Sequence, residues 1–216
     1  MKKLSNFYKV NQISEKLKNR LRKLKLVKLA DGRFDVFGDV DFSGLVLRSL
    51  LEIPIRIRRV TGDFNCYGNL LTTLEGAPER VDGDFNCSWN NLTTLEGAPK
   101  FVGGSFDCYY NNLTTLEGAP ERVDGDFYCG LNKLTTLKGA PKFVGGSFIC
   151  SHNQLTTLEG APERVSGIFI CSHNQLTTLN GAPKYIGGDF ECRQNSKHFT
   201  EEEVRKLIDV SGKVIV

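Results

Sequence analysis

Seven cysteines stand 21 residues apart, at Cys66, Cys87, Cys108, Cys129, Cys150, Cys171 and Cys192, and the chain has no others. Thiols in that number could pair as disulfides, hold a metal or carry redox chemistry. An odd count at one repeated position argues for a reduced ladder instead. Side chains stacked strand on strand keep neighbouring Cβ atoms about 4.8 Å apart, beyond the ~3.5–4.5 Å a disulfide spans. His152 and His173 share the same separation. Two stacked imidazoles begin a zinc site, but the cysteines lie in another column and no outward carboxylate completes a tetrahedral set. No metal or other cofactor is expected. The chain contains no G-x-S-x-G, phosphate-binding loop or H-E-x-x-H, so no enzyme is expected either. What remains is recognition chemistry. Tyr67, Trp89, Tyr109, Tyr110 and Tyr128 fall in adjacent repeats beside Asp84, Asn86 and Asp107, and exposed aromatics among polar groups are the residue types of interface hot spots. Further along, Ile149, His152, Ile170 and His173 form a more apolar stretch that ends at Arg193.

The elements that position these residues follow from the repeat. From Val60 the unit reads V-x-G-x-F-x-C-x-x-N-x-L-T-T-L-x-G-A-P-x-x, seven times without an insertion, up to Asn195. A fixed period of 21 residues specifies a solenoid, in which no unit can bury its apolar side alone but stacked neighbours can. Phenylalanine and cysteine stand two apart, so in an extended strand both point inward and the residues flanking them point outward. Seven such strands would make a parallel sheet roughly 34 Å long. The asparagine three residues after each cysteine can donate and accept where the chain leaves the strand. The two leucines fill the far side of the core, and G-A-P turns the chain back. Helices between strands are not expected.

The F-x-C-x-x-N-x-L arrangement, in place of L-x-L-x-x-N-x-L, resembles the leucine-rich repeat family over about residues 36–196. The V-G-G-S-F and L-E-G-A-P phrases are similar to a short-repeat subgroup of bacteriophages, other large DNA viruses and some bacteria. The resemblance implies a right-handed solenoid with a parallel β-sheet whose concave strand face binds a protein, here of an infected host. The pattern departs from the family in its phenylalanine and in an extra residue before it, expected as a bulge.

Net charge is +3, but residues 1–28 hold ten Lys or Arg against Glu15 alone, about +9, which leaves about −6 for the rest. Ile13, Leu17, Leu21 and Leu24 recur at helical spacing, predicting an amphipathic helix over 14–25. Its apolar stripe suits a cap on the core. Its Lys16, Lys18, Arg20, Arg22 and Lys23 offer a possible nucleic-acid contact. Residues 26–37 read as a hairpin around Asp31-Gly32. Val36, Val40, Phe42, Leu47 and Leu50 match repeat positions shifted by 24, a degenerate capping coil. At the other end, Thr200 and Glu203 form a capping box opening a short helix, and residues 213–216 could add a strand.

The expected fold is therefore mainly β: residues 1–59 form a basic helix, hairpin and capping repeat, 60–196 the seven repeats and 197–216 a cap of helix and strand, all one continuous domain. With no apolar run long enough to span a membrane and no secretory leader, a cytoplasmic location is expected. The expected function is non-enzymatic protein binding. Two alternatives stand beside it: a structural part of a virion, and a nucleic-acid binder acting through the basic helix.

Overall fold

The computed structural model describes residues 13–216. Over them the chain winds as a β-solenoid of about nine turns. Each turn contributes a two-residue strand to each of two sheets, except that the first sheet is longer at its start. That first sheet has ten strands, from Leu26–Lys28 through repeats such as Arg80–Val81 and Phe101–Val102 to Asp209–Val210; its inward column is valine. The second has nine, from Val40–Asp41 through Phe64–Asn65 and its equivalents to Val214–Ile215; its inward column is phenylalanine. All pairings are parallel except the opening hairpin, where Leu26 faces Val36. Register is set by the repeat: Val123 lies against Val102, and Phe127 against both Phe106 and Phe148.

Two sheets, where a single one was expected, explain the extra residue. It forms no bulge; residues 82–84 and their equivalents are the corner between the valine and phenylalanine strands. Glycine is fixed at this corner by close approach, because a Cβ on Gly125 would sit 2.6 Å from the carbonyl carbon of Gly104 in the preceding turn. No side chain fits there.

Inside, seven phenylalanines from Phe64 to Phe190 form one stacked column, neighbouring ring centroids 5.3–5.9 Å apart. The cysteines, leucines and valines are buried beside them. All seven thiols are free. Burial raises their pKa well above the ordinary thiol value, and Cys108, Cys129 and Cys150 donate to carbonyls of the following turn at 3.3–3.4 Å.

The asparagine column stitches turn to turn. Asn132 Nδ2 donates to the carbonyls of Cys129 in its own turn and Cys108 in the one before, while its Oδ1 accepts from Leu113 N–H. Turns too irregular for sheet pairing are satisfied this way, and no buried side-chain N or O among the described residues lacks a partner.

The ends are closed as the patterning suggests. Helix α1 (Glu15–Lys23) is capped by Ser14 and buries Leu17 and Leu21 against the core. The capping coil keeps the 24-residue shift, with Val40 opposite Phe64, and carries a short 3-10 helix at Leu50–Glu52. Helix α2 (Glu201–Leu207) opens with the Thr200–Glu203 capping box and buries Val204. The chain then completes a last full turn, whose first strand, Asp209–Val210, had no repeat signature to reveal it. No helix among the described residues is long and apolar enough to cross a membrane.

Candidate functional site

On the outer face of the phenylalanine sheet the free positions of the repeat form four columns. The first, entering the strand, is a ladder of acceptors: Asp63 Oδ1 accepts from Asp84 N–H at 2.8 Å, Asp84 from Ser105 N–H at 2.7 Å and Asp126 from Ser147 N–H at 2.6 Å. Asp84 thus has a structural duty, although the residue as a whole is exposed. Ile168, 40 % exposed, breaks the ladder.

In the second column the amide or carboxylate turns back on its own strand. Asn86 Oδ1 accepts from Ser88 N–H and hydroxyl, and Asp107 accepts from Tyr109 N–H at 2.9 Å. Burial of Asp107 raises its pKa, against the lowering effect of hydrogen bonding from Tyr109 N–H and the Ser88 side chain. Tyr128 donates its hydroxyl to Asp126 at 2.7 Å, and that bond, with burial and the carboxylate's charge, pushes the phenol up to about 12. Ile149 and Ile170 are half-buried and paired in register.

The third column is uneven. Tyr67 is exposed, Ser88 and Ser172 are buried although outward placement was expected, and Arg193 is exposed and pairs with Glu191. Tyr109 is half-buried, its ring covering Gly130, where a Cβ would come within 3.2 Å of it.

The fourth column turns the corner out of the strand. Gly68, Trp89, Tyr110, Leu131, His152, His173 and Gln194 all have φ between 48° and 65°, as does Gly44 in the capping coil. Glycine adopts this left-handed backbone freely; other residues are strained in it by roughly 1 kcal/mol or more. Residues other than glycine nonetheless fill six successive turns, from Trp89 to Gln194. Their N–H groups hold the conformation by donating to the following turn, Trp89 to Tyr109 and His152 to Ser172, both at 3.1 Å. Their rings stack along the solenoid: Trp89 on Tyr110 at 4.0 Å, His152 on His173 at 4.1 Å. Trp89 and Tyr110 remain 47 % and 45 % exposed. Burial and the neighbouring His173 lower the pKa of His152. Two glycines aligned with Trp89 were the sequence signal for this backbone.

The structure therefore brings Tyr67, Trp89 and Tyr110 to one exposed corner, and His152 with His173 to the same corner further on. Asp107, Tyr109 and Tyr128 support that surface from partly buried positions. Among the described residues no group of three or more His, Cys, Asp or Glu could hold a metal ion. On α1, Arg20 pairs with Asp41 of the capping coil, Lys18 with Glu15 at 2.6 Å, and Arg22 donates to Asn19. Lys16 and Lys23 are exposed. The chain matches no family model and no curated protein.

Proposed function

We propose that this chain is a non-enzymatic solenoid of the leucine-rich-repeat kind that binds a protein through the outer face of its phenylalanine sheet, between Asp63 and Arg193. The observation that carries the reading is the left-handed column. Selection for backbone ease would place glycine at every turn, as at Gly44 and Gly68, yet exposed aromatics occupy it at Trp89 and Tyr110. Strain retained beneath exposed rings points to what the rings contact. Seven unpaired, buried thiols suit a reducing cytoplasm, and the phage-like phrases suit a factor acting on a host protein there.

Affinity capture with the full chain tests this. The Trp89→Ala, Tyr110→Ala pair should lose a specifically retained protein that a Lys100→Ala, Lys142→Ala control on the other sheet keeps. Equal capture by both would count against the face. A nucleic-acid role for the basic helix rests on the charge of residues 1–28; it predicts salt-dependent retention lost with Lys16→Ala, Lys23→Ala.

A further inference from the structure

The aromatic ladder stops abruptly at its N-terminal end. Tyr110 covers one face of Trp89. In the turn on the other side the same position is Gly68, whose N–H donates to Ser88 O at 3.1 Å and whose absent Cβ would meet nothing within 4 Å. The turn before that has Gly44, equally open. One face of the indole thus looks into a notch open across two turns, floored by glycine backbone and beside Tyr67, 42 % exposed.

The other sheet shows what a level of this height accepts. There Arg80 lies in register with Phe101 of the next turn and its guanidinium sits 3.9 Å from the ring centroid; Arg164 does the same over Tyr185. A planar cation one turn from an aromatic ring is a fit this solenoid already makes twice. Charge favours the same occupant at the notch. The four outward columns carry Asp63, Asp84, Asp107 and Asp126 and no Lys or Arg before Arg193, although the whole chain is net positive.

Resting on the protein-binding reading above, we infer that the Gly68 notch receives an arginine of a basic partner segment, its guanidinium stacked on Trp89 and its flanking cations over the carboxylates of Asp63, Asp84 and Asp126. A cation on an indole is the strongest of the cation–π pairs, and a planar guanidinium also stacks flat on the ring, which a tetrahedral ammonium does not.

The test uses the full chain and the fluorescence of Trp89, its single tryptophan. The probe is a capped peptide of alternating glycine and arginine with three arginines; its citrulline, lysine and phenylalanine counterparts serve for comparison. The arginine peptide should bind saturably, with citrulline and lysine each at least tenfold weaker. Gly68→Tyr fills the notch with a residue that Tyr110 already shows to be tolerated at this φ, and should weaken arginine binding at least tenfold. Asp63→Asn, Asp84→Asn, Asp126→Asn keeps each Oδ1 acceptor and removes the charge, and should weaken it with a smaller salt dependence. Equal binding of arginine and lysine, or no effect of Gly68→Tyr, would overturn the inference. Preferred binding of the phenylalanine peptide would overturn the arginine assignment while leaving the face a protein-binding surface; no binding by any peptide, with capture also indifferent to Trp89→Ala, Tyr110→Ala, would overturn both.

Discussion

Replacing Asn132 by leucine, similar in volume but without polar atoms, isolates what the asparagine column contributes. Asn132 makes four hydrogen bonds: Nδ2 to Cys108 O at 3.0 Å, to Cys129 O at 3.2 Å and to Gly130 O at 3.2 Å, and Oδ1 from Leu113 N–H at 3.0 Å. The losses are unequal. Cys108 O still accepts from Asn111, Cys129 O from Asn153 and Gly130 O from Tyr110 N–H, so each carbonyl keeps a partner. Leu113 N–H keeps none, and an orphaned buried donor costs about 1–3 kcal/mol. With about 1 kcal/mol for each of the two donated bonds to the cysteine carbonyls, Asn132→Leu should destabilise by on the order of 4 kcal/mol, a large part of a typical stability. Urea unfolding gives the total, and amide exchange shows whether protection is lost first at Leu113. Asn132→Asp adds a sign. Facing three carbonyl oxygens, its buried carboxyl must have a folded pKa above the unfolded value of about 3.9. It therefore comes nearest the wild type below that unfolded value, where it stays neutral and can donate, and falls away as pH rises through its folded pKa. A loss under about 1 kcal/mol for Asn132→Leu, or a Leu113 amide as protected as before, would refute the reasoning.

Three further outcomes follow from the core and the face. Phe127→Ala opens a gap midway along a stacked column and should cost about 3–5 kcal/mol in urea unfolding. The seven thiols, buried and held protonated, should be silent to an aromatic disulfide reagent in the native state and all react once the chain is unfolded. Tyr128 should titrate at about 12. Its folded pKa lies above the unfolded value of about 10, so the stability it lends is complete below that value and is lost as pH rises toward 12. Ultraviolet titration of Tyr128→Phe should lack a step near 12 that the wild type shows.

Much of this architecture was legible because the chain aligns with itself. Invariance at Phe64, Cys66, Asn69, Leu71 and Leu74 and their repeats marked the core, and the structure buries nearly all of those positions. After each proline Glu-Arg alternates with Lys-Phe or Lys-Tyr, which sets Arg beside an aromatic ring and Glu beside Lys: Arg80 lies over Phe101 and Glu163 pairs with Lys184 at 3.8 Å. Charge was only part of the reason. A Cβ on Gly103 would collide with the carbonyl oxygen of Asp82, so that position needs glycine, while Asp82 itself pairs with Arg59 and Arg80. The second sheet was missed because two-residue strands are too short to show a period, and the corner between them looked like one surplus residue. Ser88 and Ser172 were placed outward by strand alternation and are buried. Alternation gives the direction of a short side chain and not whether larger neighbours cover it. For the same reason the aromatic strip divides in the structure: Trp89 and Tyr110 stand exposed, whereas Tyr109 lies folded over Gly130.

The most direct measurement takes stability and binding together on Trp89→Gly, Tyr110→Gly. Glycine relieves left-handed strain of roughly 1 kcal/mol per site, while the ring stack lost is worth about 0.5–1.5 kcal/mol. If the rings are there for a partner, stability should change by no more than about 1.5 kcal/mol and partner capture should vanish. A loss of about 3 kcal/mol or more, the scale of a buried aromatic, with capture intact, would contradict a binding role for this face.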